Sequence, residues 1–325
     1  MVGRRLLHRP RRGRGTVNTT NRTVAAIDCG TNSIRLLVSD MTDGKPTDLA
    51  RLMRIVRLGE GIDSAGVITE AALERTAAAL REYANVLEQN PPQAVRMVAT
   101  SASRDAKNAD EFTKMVVDLI GVEPEVITGD EEAQLSFEGA VADLPADDTQ
   151  RLVVDIGGGS TEFVRGTTHA ESFRSVNIGC VRMTERHLRD DPPTPEQVEA
   201  ATAQIIGDVD AALATVDPDR SCRSLVGLAG SVTTVAGLAL GLPEYDPVAI
   251  HHARLSYDEV AQVTATLLRQ TRQQRLESPV MHPGRADVIA GGALVLRTIM
   301  ERSGIDSVLA SEHDILDGIA ARLRR

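Results

Sequence analysis

At 325 residues the chain is too long for one ordinary hydrophobic core and fits two domains. An apolar fraction of 42% with 25% charged residues belongs to a soluble globular protein, while 2% aromatics and no tryptophan disfavour stacking platforms for single-stranded nucleic acid. A net charge of -10 argues against non-specific binding to DNA or anionic membranes, so no nucleic-acid or membrane partner is expected. The three cysteines, Cys29, Cys180 and Cys222, show no metal-ligand or CxxC spacing, which fits a reducing cytoplasm. No apolar run reaches the length of a membrane span. The Arg-rich stretch Arg4–Arg14 has no hydrophobic segment after it and reads as a disordered basic tail over residues 1–22, not a secretory signal.

Folded sequence is expected to begin near Val24. Val24–Asp28, a Gly-Thr-Asn-Ser turn and Ile34–Ser39 read as strand, tight turn and strand. Ala72, Leu73, Thr76, Leu80, Tyr83 and Leu87 recur at helical spacing, and Pro91-Pro92 closes that helix. A strand at Val95–Ala99, a helix at 109–120 and a strand at 124–127 follow. The next helix opens at Gly129-Asp130-Glu131-Glu132, carboxylates crowding its first turn as the helix dipole favours. Residues 144–149 read as a linker. The grammar then repeats: strand 151–155, the turn Gly157-Gly158-Gly159-Ser160, strand 161–165. Later come a strand at 225–229, helices at 233–240, 257–269 and 286–302, a strand at 307–310 and a helix at 315–323. Alternating strands and helices predict mostly parallel sheets covered by helices.

Asp28-Cys29-Gly30-Thr31-Asn32-Ser33 and Asp155-Ile156-Gly157-Gly158-Gly159-Ser160 align without a gap, matching Asp, Gly and Ser. Each block ends an apolar strand that opens its half of the chain, so one supersecondary unit occurs twice. Glycine-rich turns let backbone amides converge on phosphate oxygens, Ser33 and Ser160 can add hydroxyls, and aspartates at strand ends suit Mg²⁺. Neither turn is followed by Gly-Lys-Ser/Thr, as a Walker loop requires, and neither leads into a helix as a dinucleotide fingerprint does. Glu131 or Glu132, between the two turns, could activate a water for in-line attack on phosphorus. Arg35, Arg104 and Arg285 are candidates to grip phosphates. His251, His252 and His282 read as structural side chains rather than ligands.

These residues carry a resemblance. Ile27–Ser33, Ala99-Thr100-Ser101-Ala102-Ser103-Arg104, Gly129-Asp130-Glu131-Glu132-Ala133, Asp155–Glu162 and Gly227-Leu228-Ala229-Gly230-Ser231 resemble, in order, the blocks of the exopolyphosphatase / guanosine pentaphosphate phosphohydrolase family. The resemblance runs from about Val24 to the C-terminus and is to the short, two-domain members. It implies an α/β fold of two duplicated ribonuclease-H-like domains, of the actin / sugar kinase / Hsp70 superfamily, with an interdomain active-site cleft. The expected halves are residues 23–145 and 146–310, with 311–325 packing back on the first. By resemblance, Glu132 is the general base, and Asp155 and Glu162 serve Mg²⁺ and catalysis; Asp28, at its strand end, is a further candidate metal ligand. Asn32 and Ser33 form the first phosphate loop and Gly157, Gly158, Gly159, Ser160 and Thr161 the second. Arg35, Arg104 and Arg285 match phosphate-gripping arginines, and a homodimer is implied. Gln134, where some relatives carry Arg, removes one positive charge, and Cys29 and Thr31 vary the first loop.

The expected reaction is Mg²⁺-dependent release of terminal orthophosphate from inorganic polyphosphate. Guanosine pentaphosphate 5′-phosphohydrolysis is the nearest alternative, because both substrates present the same reacting anhydride. A kinase-like phosphotransferase would need an adenosine site near Gly230-Ser231. A nucleotide-switched binding protein would need subdomains this chain has no room for. A catalytically silent sensor of alarmone or polyphosphate is disfavoured by the intact Glu132 and Asp155.

Overall fold

In the computed structural model of the protein, residues 22–42 and 46–323 are described, so all but Arg22 of the expected tail lies outside them. The first half comprises β1 (Thr23–Cys29), β2 (Ser33–Asp40), β3 (Thr47–Ile55), α1 (Ile62–Ala65), α2 (Glu70–Gln89), β4 (Ala94–Ala99), α3 (Ser101–Asp105), α4 (Ala109–Ile120), β5 (Glu125–Val126) and α5 (Gly129–Val141). The second comprises β6 (Arg151–Ile156), β7 (Thr161–Gly166), β8 (Ala170–Val176), α6 (Cys180–His187), α7 (Pro195–Val216), β9 (Ser224–Leu228), α8 (Ala229–Ala239), α9 (Pro247–Ile250), β10 (Arg254–Ser256), α10 (Tyr257–Arg269), α11 (Arg272–Arg275), α12 (Ile289–Ser303), β11 (Ser307–Ala310) and α13 (Ile315–Leu323).

The structure adds β3, β8, α6 and the 22-residue α7 to the elements expected from the sequence. α7 starts where Thr194 and Gln197 form a reciprocal capping box with Pro195 behind them. α8 begins at Ala229, four residues before the expected start at 233. α12 begins at Ile289, so Arg285 stands in the preceding turn and not at the start of a helix.

Two sheets carry the duplication. The first has the order β3-β2-β1-β4-β5, and the second β10-β11-β9-β6-β7-β8. Within the second, β8-β7-β6-β9-β11 repeats the first sheet's order, with β10 as an added edge. In both, the central strand pairs antiparallel with the next strand of the chain and parallel with the one after the intervening helices. The expected duplicated α/β architecture is therefore present.

Side-chain alternation decides what each sheet face covers. Along β1, Ala25, Ile27 and Cys29 pack with Leu80 and Tyr83 of α2 and Phe112 and Val116 of α4. Val24 and Ala26 point the other way, to Ile315, Leu316, Ile319 and Ala320 of α13. Along β6, Leu152, Val154 and Ile156 face α7, α8 and α12, while Val153 faces Ala133, Phe137 and Ala140 of α5. The same alternation turns Asp28 and Asp155, one residue before each strand's end, toward the space between the two sheets.

α5 and α13 fill that space and pack on each other. α5 precedes the expected boundary at 145, yet it lays Ala133, Phe137 and Ala140 on the second sheet and Leu135 against the first-sheet cluster. It belongs to the interface between the halves. The two helices approach so closely that a Cβ on Gly139 would overlap the Asp314 carbonyl, and one on Gly318 the Leu135 carbonyl. Gly318→Ala is therefore expected to cost about 1–3 kcal/mol in chemical denaturation, because backbone cannot yield as a side chain does. Since α5 also carries Glu132, activity should fall with it.

Candidate active site

The repeated blocks form the same structure. In each half, four residues separate the last paired positions of the two strands, Cys29 and Ile34 or Ile156 and Thr161, and the first turn amide donates to the carbonyl of the fourth: Gly30 to Ser33 and Gly157 to Ser160, both at 3.0 Å. Most of the remaining turn carbonyls are tied from behind. The Asn32 carbonyl accepts from the amides of Val56 and Arg57, and the Thr31 carbonyl from that of Gly59. In the second turn the Gly158 carbonyl accepts from Val181 and Arg182, and the Gly159 carbonyl from the Gly179 amide and from Arg182 Nε. With carbonyls held back, the turn amides are the groups left to meet an anion.

Two of the glycines also serve the packing of the turns. No glycine of either turn has a left-handed φ. Gly158 and Gly159 lie against the first half: a Cβ on Gly158 would come within 2.9 Å of Thr31 Cβ, and one on Gly159 within 2.5 Å of Ser101 Oγ and 2.8 Å of Thr31 Oγ1. A hydrogen bond of 2.7 Å between Thr31 Oγ1 and Ser101 Oγ completes this contact.

The cleft between the turns encloses about 750 Å³, mouth included. Of the residues expected from the sequence, it brings together Asp28, Asn32, Ser33, Arg35, Glu132, Asp155, Gly157, Gly158, Ser160 and Arg285. Gly159, Thr161, Glu162 and Arg104 do not line it. Thr161 is fully buried and donates its hydroxyl to the Ile178 carbonyl. Glu162 is buried behind the second turn, where it accepts from Ser175 Oγ at 2.7 Å. Arg104 sits behind Glu132, donating through one nitrogen to the Ile127 carbonyl and to Glu132 Oε2, at 2.7 and 3.1 Å.

The duplication breaks in one instructive place. The residue paired with Asp28 across the hairpin is Arg35, and the residue paired with Asp155 is Glu162. Arg35 donates from Nε and Nη2 to Asp28 and from Nη1 to Asp314, so its guanidinium bridges the first turn's strand and the loop leading into α13. Asp314 escapes the sequence reading, because it comes from the far end of the chain and belongs to neither repeat. Ser136, one turn along α5 from Glu132, donates to Asp155 at 2.7 Å and is likewise visible only in three dimensions. Arg285 lies over the start of α8, bonded to Thr234 Oγ1 and the Gly230 carbonyl, where a Cβ on Gly230 would overlap the guanidinium. The first turn of α8 has no side-chain cap, leaving amides at Ala229–Ser231 on the cleft wall.

Crowded, buried carboxylates resist ionisation. Burial, with the nearby charges of Asp155 and Asp28, pushes Glu132 up to about 7 against the opposing pull of Arg104. Asp155 rises to about 6 through burial and the Asp314 charge. Burial raises Asp28 despite Arg35, and Glu162 is driven far up by burial and by its neighbours Glu132 and Asp155. Such a surplus of negative charge, all on hard oxygen donors, fits a small divalent cation. The buried Asn32 Oδ1, which has no hydrogen-bond partner, adds a further oxygen on the cleft wall. Among the described residues, no three cleft carboxylates converge to direct-ligand spacing. A cation held here would therefore keep several of its waters and take only one or two carboxylates.

A family model described as the Ppx/GppA phosphatase family matches residues 37–323, and the chain belongs to this family of phosphatases. It is 48% identical over 313 residues to Exopolyphosphatase 2 of Mycobacterium tuberculosis, covering 92% of this chain and 98% of that protein. Among solved structures, an exopolyphosphatase-like protein superposes with a TM-score of 0.89 at 44% identity, covering 93% of this chain and 97% of that one. The Aquifex aeolicus Ppx/GppA family member gives 0.78 at 31% identity, with the same coverage of each chain.

The raised value of Glu132 has a consequence for stability. A carboxyl that ionises later in the folded than in the unfolded state holds extra protons when native, so stability falls as pH rises from the ordinary 4.5 to about 7. Above that window the full penalty applies. Glu132→Gln should therefore stabilise the fold at pH 8 by about 1–2 kcal/mol and make little difference at pH 4, as read by denaturant titration at both values.

Proposed function

We propose that the protein is an exopolyphosphatase, releasing terminal orthophosphate from inorganic polyphosphate by attack of water. The observation that carries this reading is Glu132: a buried carboxylate at a helix start, facing two amide-lined turns, with its proton affinity near neutrality. A general base works best when its pKa lies near the working pH, so that it is available unprotonated yet still takes a proton well. Similarity to a relative named an exopolyphosphatase supports the same reaction.

In this account the turn amides and the hydroxyls of Ser33 and Ser160 hold the terminal phosphoryl group. Arg104 keeps the Glu132 carboxylate aimed at the space between the turns, where it takes a proton from the attacking water. Asp28 and Asp155, with waters, are the residues that would hold Mg²⁺, which supplies charge neutralisation for the phosphoryl oxygens. Arg285 and the open start of α8 face the departing chain, where negative charge builds on the former bridging oxygen. Asp314 and Arg35 keep Asp28 in place and tie the first half's site to α13.

A second reading, hydrolysis of guanosine pentaphosphate, is favoured by one specific feature. Beside the cleft, and sharing Arg35, Ala229, Gly230 and Arg285 with it, lies a chamber of about 490 Å³. Tyr245, Pro279, Val280, Met281 and Pro283 give it a largely apolar wall, and its size suits a nucleoside.

Orthophosphate release should be measured with Mg²⁺ on long-chain polyphosphate, short-chain polyphosphate, guanosine pentaphosphate and ATP. Glu132→Gln is expected to lower turnover by about 10²–10⁴-fold while the chain stays folded. Substantial residual activity in that variant would overturn the assignment of the base. Faster release from guanosine pentaphosphate than from polyphosphate would move the reading to the second substrate.

A further inference from the structure

Away from the cleft, three histidines and one aspartate meet where the chain passes between the two halves. Asp143 follows the end of α5, His251 and His252 lie between α9 and β10, and His313 stands two residues before α13. His251 Nε2 lies 2.7 Å from Asp143 Oδ2, His313 Nδ1 lies 3.1 Å from the same oxygen, and His252 Nε2 lies 3.5 Å from Oδ1. The rings of His251 and His252 stack with centroids 3.9 Å apart, and those of His251 and His313 are 4.5 Å apart. One ligand atom each from Asp143, His251 and His252 lies within 4.8 Å of the others.

A hydrogen-bonded staple explains part of this arrangement and leaves part unexplained. Three imidazoles around one carboxylate exceed what pairing requires, and stacking two of them disfavours both being charged. His252 Nε2 is buried without a hydrogen bond of acceptable geometry. The same residue is held at φ +64°, in the left-handed region that a side chain of this size rarely adopts, by a backbone that continues the β10–β11 pairing through its amide bond to the Ala310 carbonyl. An unsatisfied ring nitrogen, kept in place at a conformational cost beside a carboxylate, is a donor aimed at something.

We propose that Asp143, His251 and His252 form a binding site for a divalent transition metal of the zinc class, with His313 as a fourth donor at its edge. The donor set decides the class: imidazole selects Zn²⁺, Co²⁺ or Ni²⁺ over Mg²⁺, which prefers oxygen. Bonds of about 2.0–2.2 Å at tetrahedral angles place ligand atoms about 3.3–3.6 Å apart; the 3.5 Å separation of His252 from Asp143 already lies in that range, and the 2.7 Å separation of His251 from the other carboxylate oxygen must open by roughly 0.6–0.9 Å on loading. Loading has one identifiable cost. His251 Nδ1 accepts from the Glu312 amide at 3.2 Å, which puts its hydrogen on Nε2. Ligation through Nε2 moves that hydrogen to Nδ1 and releases the amide.

The site would fasten the end of α5, whose first turn carries Glu132, to the segments before β10 and α13. His313 adjoins Asp314, the partner of Arg35, so the metal would brace the crossing between the halves without taking part in phosphoryl transfer. The proposal is independent of which phosphate ester or anhydride the cleft hydrolyses.

The test uses the untagged full chain, stripped with a chelator and dialysed into excess Mg²⁺, then titrated with Co²⁺ and followed by visible absorption and calorimetry. One Co²⁺ per chain with tetrahedral-type absorption, displaced by Zn²⁺ and unaffected by Mg²⁺, is expected. His252→Asn, which tolerates the left-handed backbone and removes the imidazole, should weaken binding by about a hundredfold or more, whereas Asp155→Asn in the cleft should leave it unchanged. Absence of stoichiometric binding, wild-type affinity in His252→Asn, or loss in Asp155→Asn would each overturn the proposal; the first result would reduce the cluster to a hydrogen-bonded staple.

Discussion

The ion pairs that join Arg35 to Asp28 and Asp314 are the point on which the rest of this structure turns. They hold a buried aspartate of the first half against a residue from the last loop of the chain, across a cleft that already contains more carboxylates than arginines. Duplication of an α/β unit would by itself place two equivalent aspartates face to face between the sheets. Replacing one copy's cross-strand partner with arginine and the other's with glutamate makes the cleft asymmetric. One side is then neutralised from within the protein, and the other is left to be neutralised by what binds. Burying the surplus charge costs stability, and the raised proton affinities of Glu132, Asp155 and Glu162 record that cost. Catalysis needs the same feature, because a base that ionises near neutrality is produced by the environment that disfavours its charge.

Such strain persists because the surrounding packing is rigid. α5 and α13 lie back to back between the sheets, with glycines at their closest approach, and each is pinned by an apolar face to a different half. Glu132 and Ser136 ride on α5, and Asp314 leads into α13. The elements that carry the chemistry are thus the elements that join the halves, so a change in how the halves meet would be felt at the cleft through backbone. The histidine cluster around Asp143 lies at the other end of the same crossing.

Much of this was legible in the sequence. The two Asp-to-Ser blocks could be aligned without a gap because both hairpins close with the same four-residue turn, and the blocks supplied seven of the ten candidate residues that meet in one cleft. The periodic helix closed by Pro91-Pro92 was equally clear and is α2; the caps at Thr69 and Thr128 and the left-handed Gly121 that ends α4 are added by the structure. What escaped depends on distance in sequence. Asp314 lies 279 residues from the arginine it holds, and no local pattern connects them. Arg104 looks like a phosphate ligand in its loop, but its nearest anion in space is Glu132. The glycines of the two turns pointed to converging amides; that Gly158 and Gly159 must also lack side chains where the halves touch shows only in the fold. α7 carried a readable signal in Thr194-Pro195 and Gln197; β3, on its sheet's edge with much of its surface exposed, carried hardly any.

If the cleft is a carboxylate-rich socket completed by a cation, then phosphate recognition and metal must be inseparable. Calorimetric titration of tripolyphosphate into Glu132→Gln, with Mg²⁺ and again with a chelator in its place, tests that claim most directly. Saturable binding with Mg²⁺ and none measurable without it are expected, since even in this variant three arginines and the turn amides stand against four buried carboxylates. Equal affinity in both titrations would contradict the claim, and would mean that the amides and arginines alone overcome the charge of the cleft.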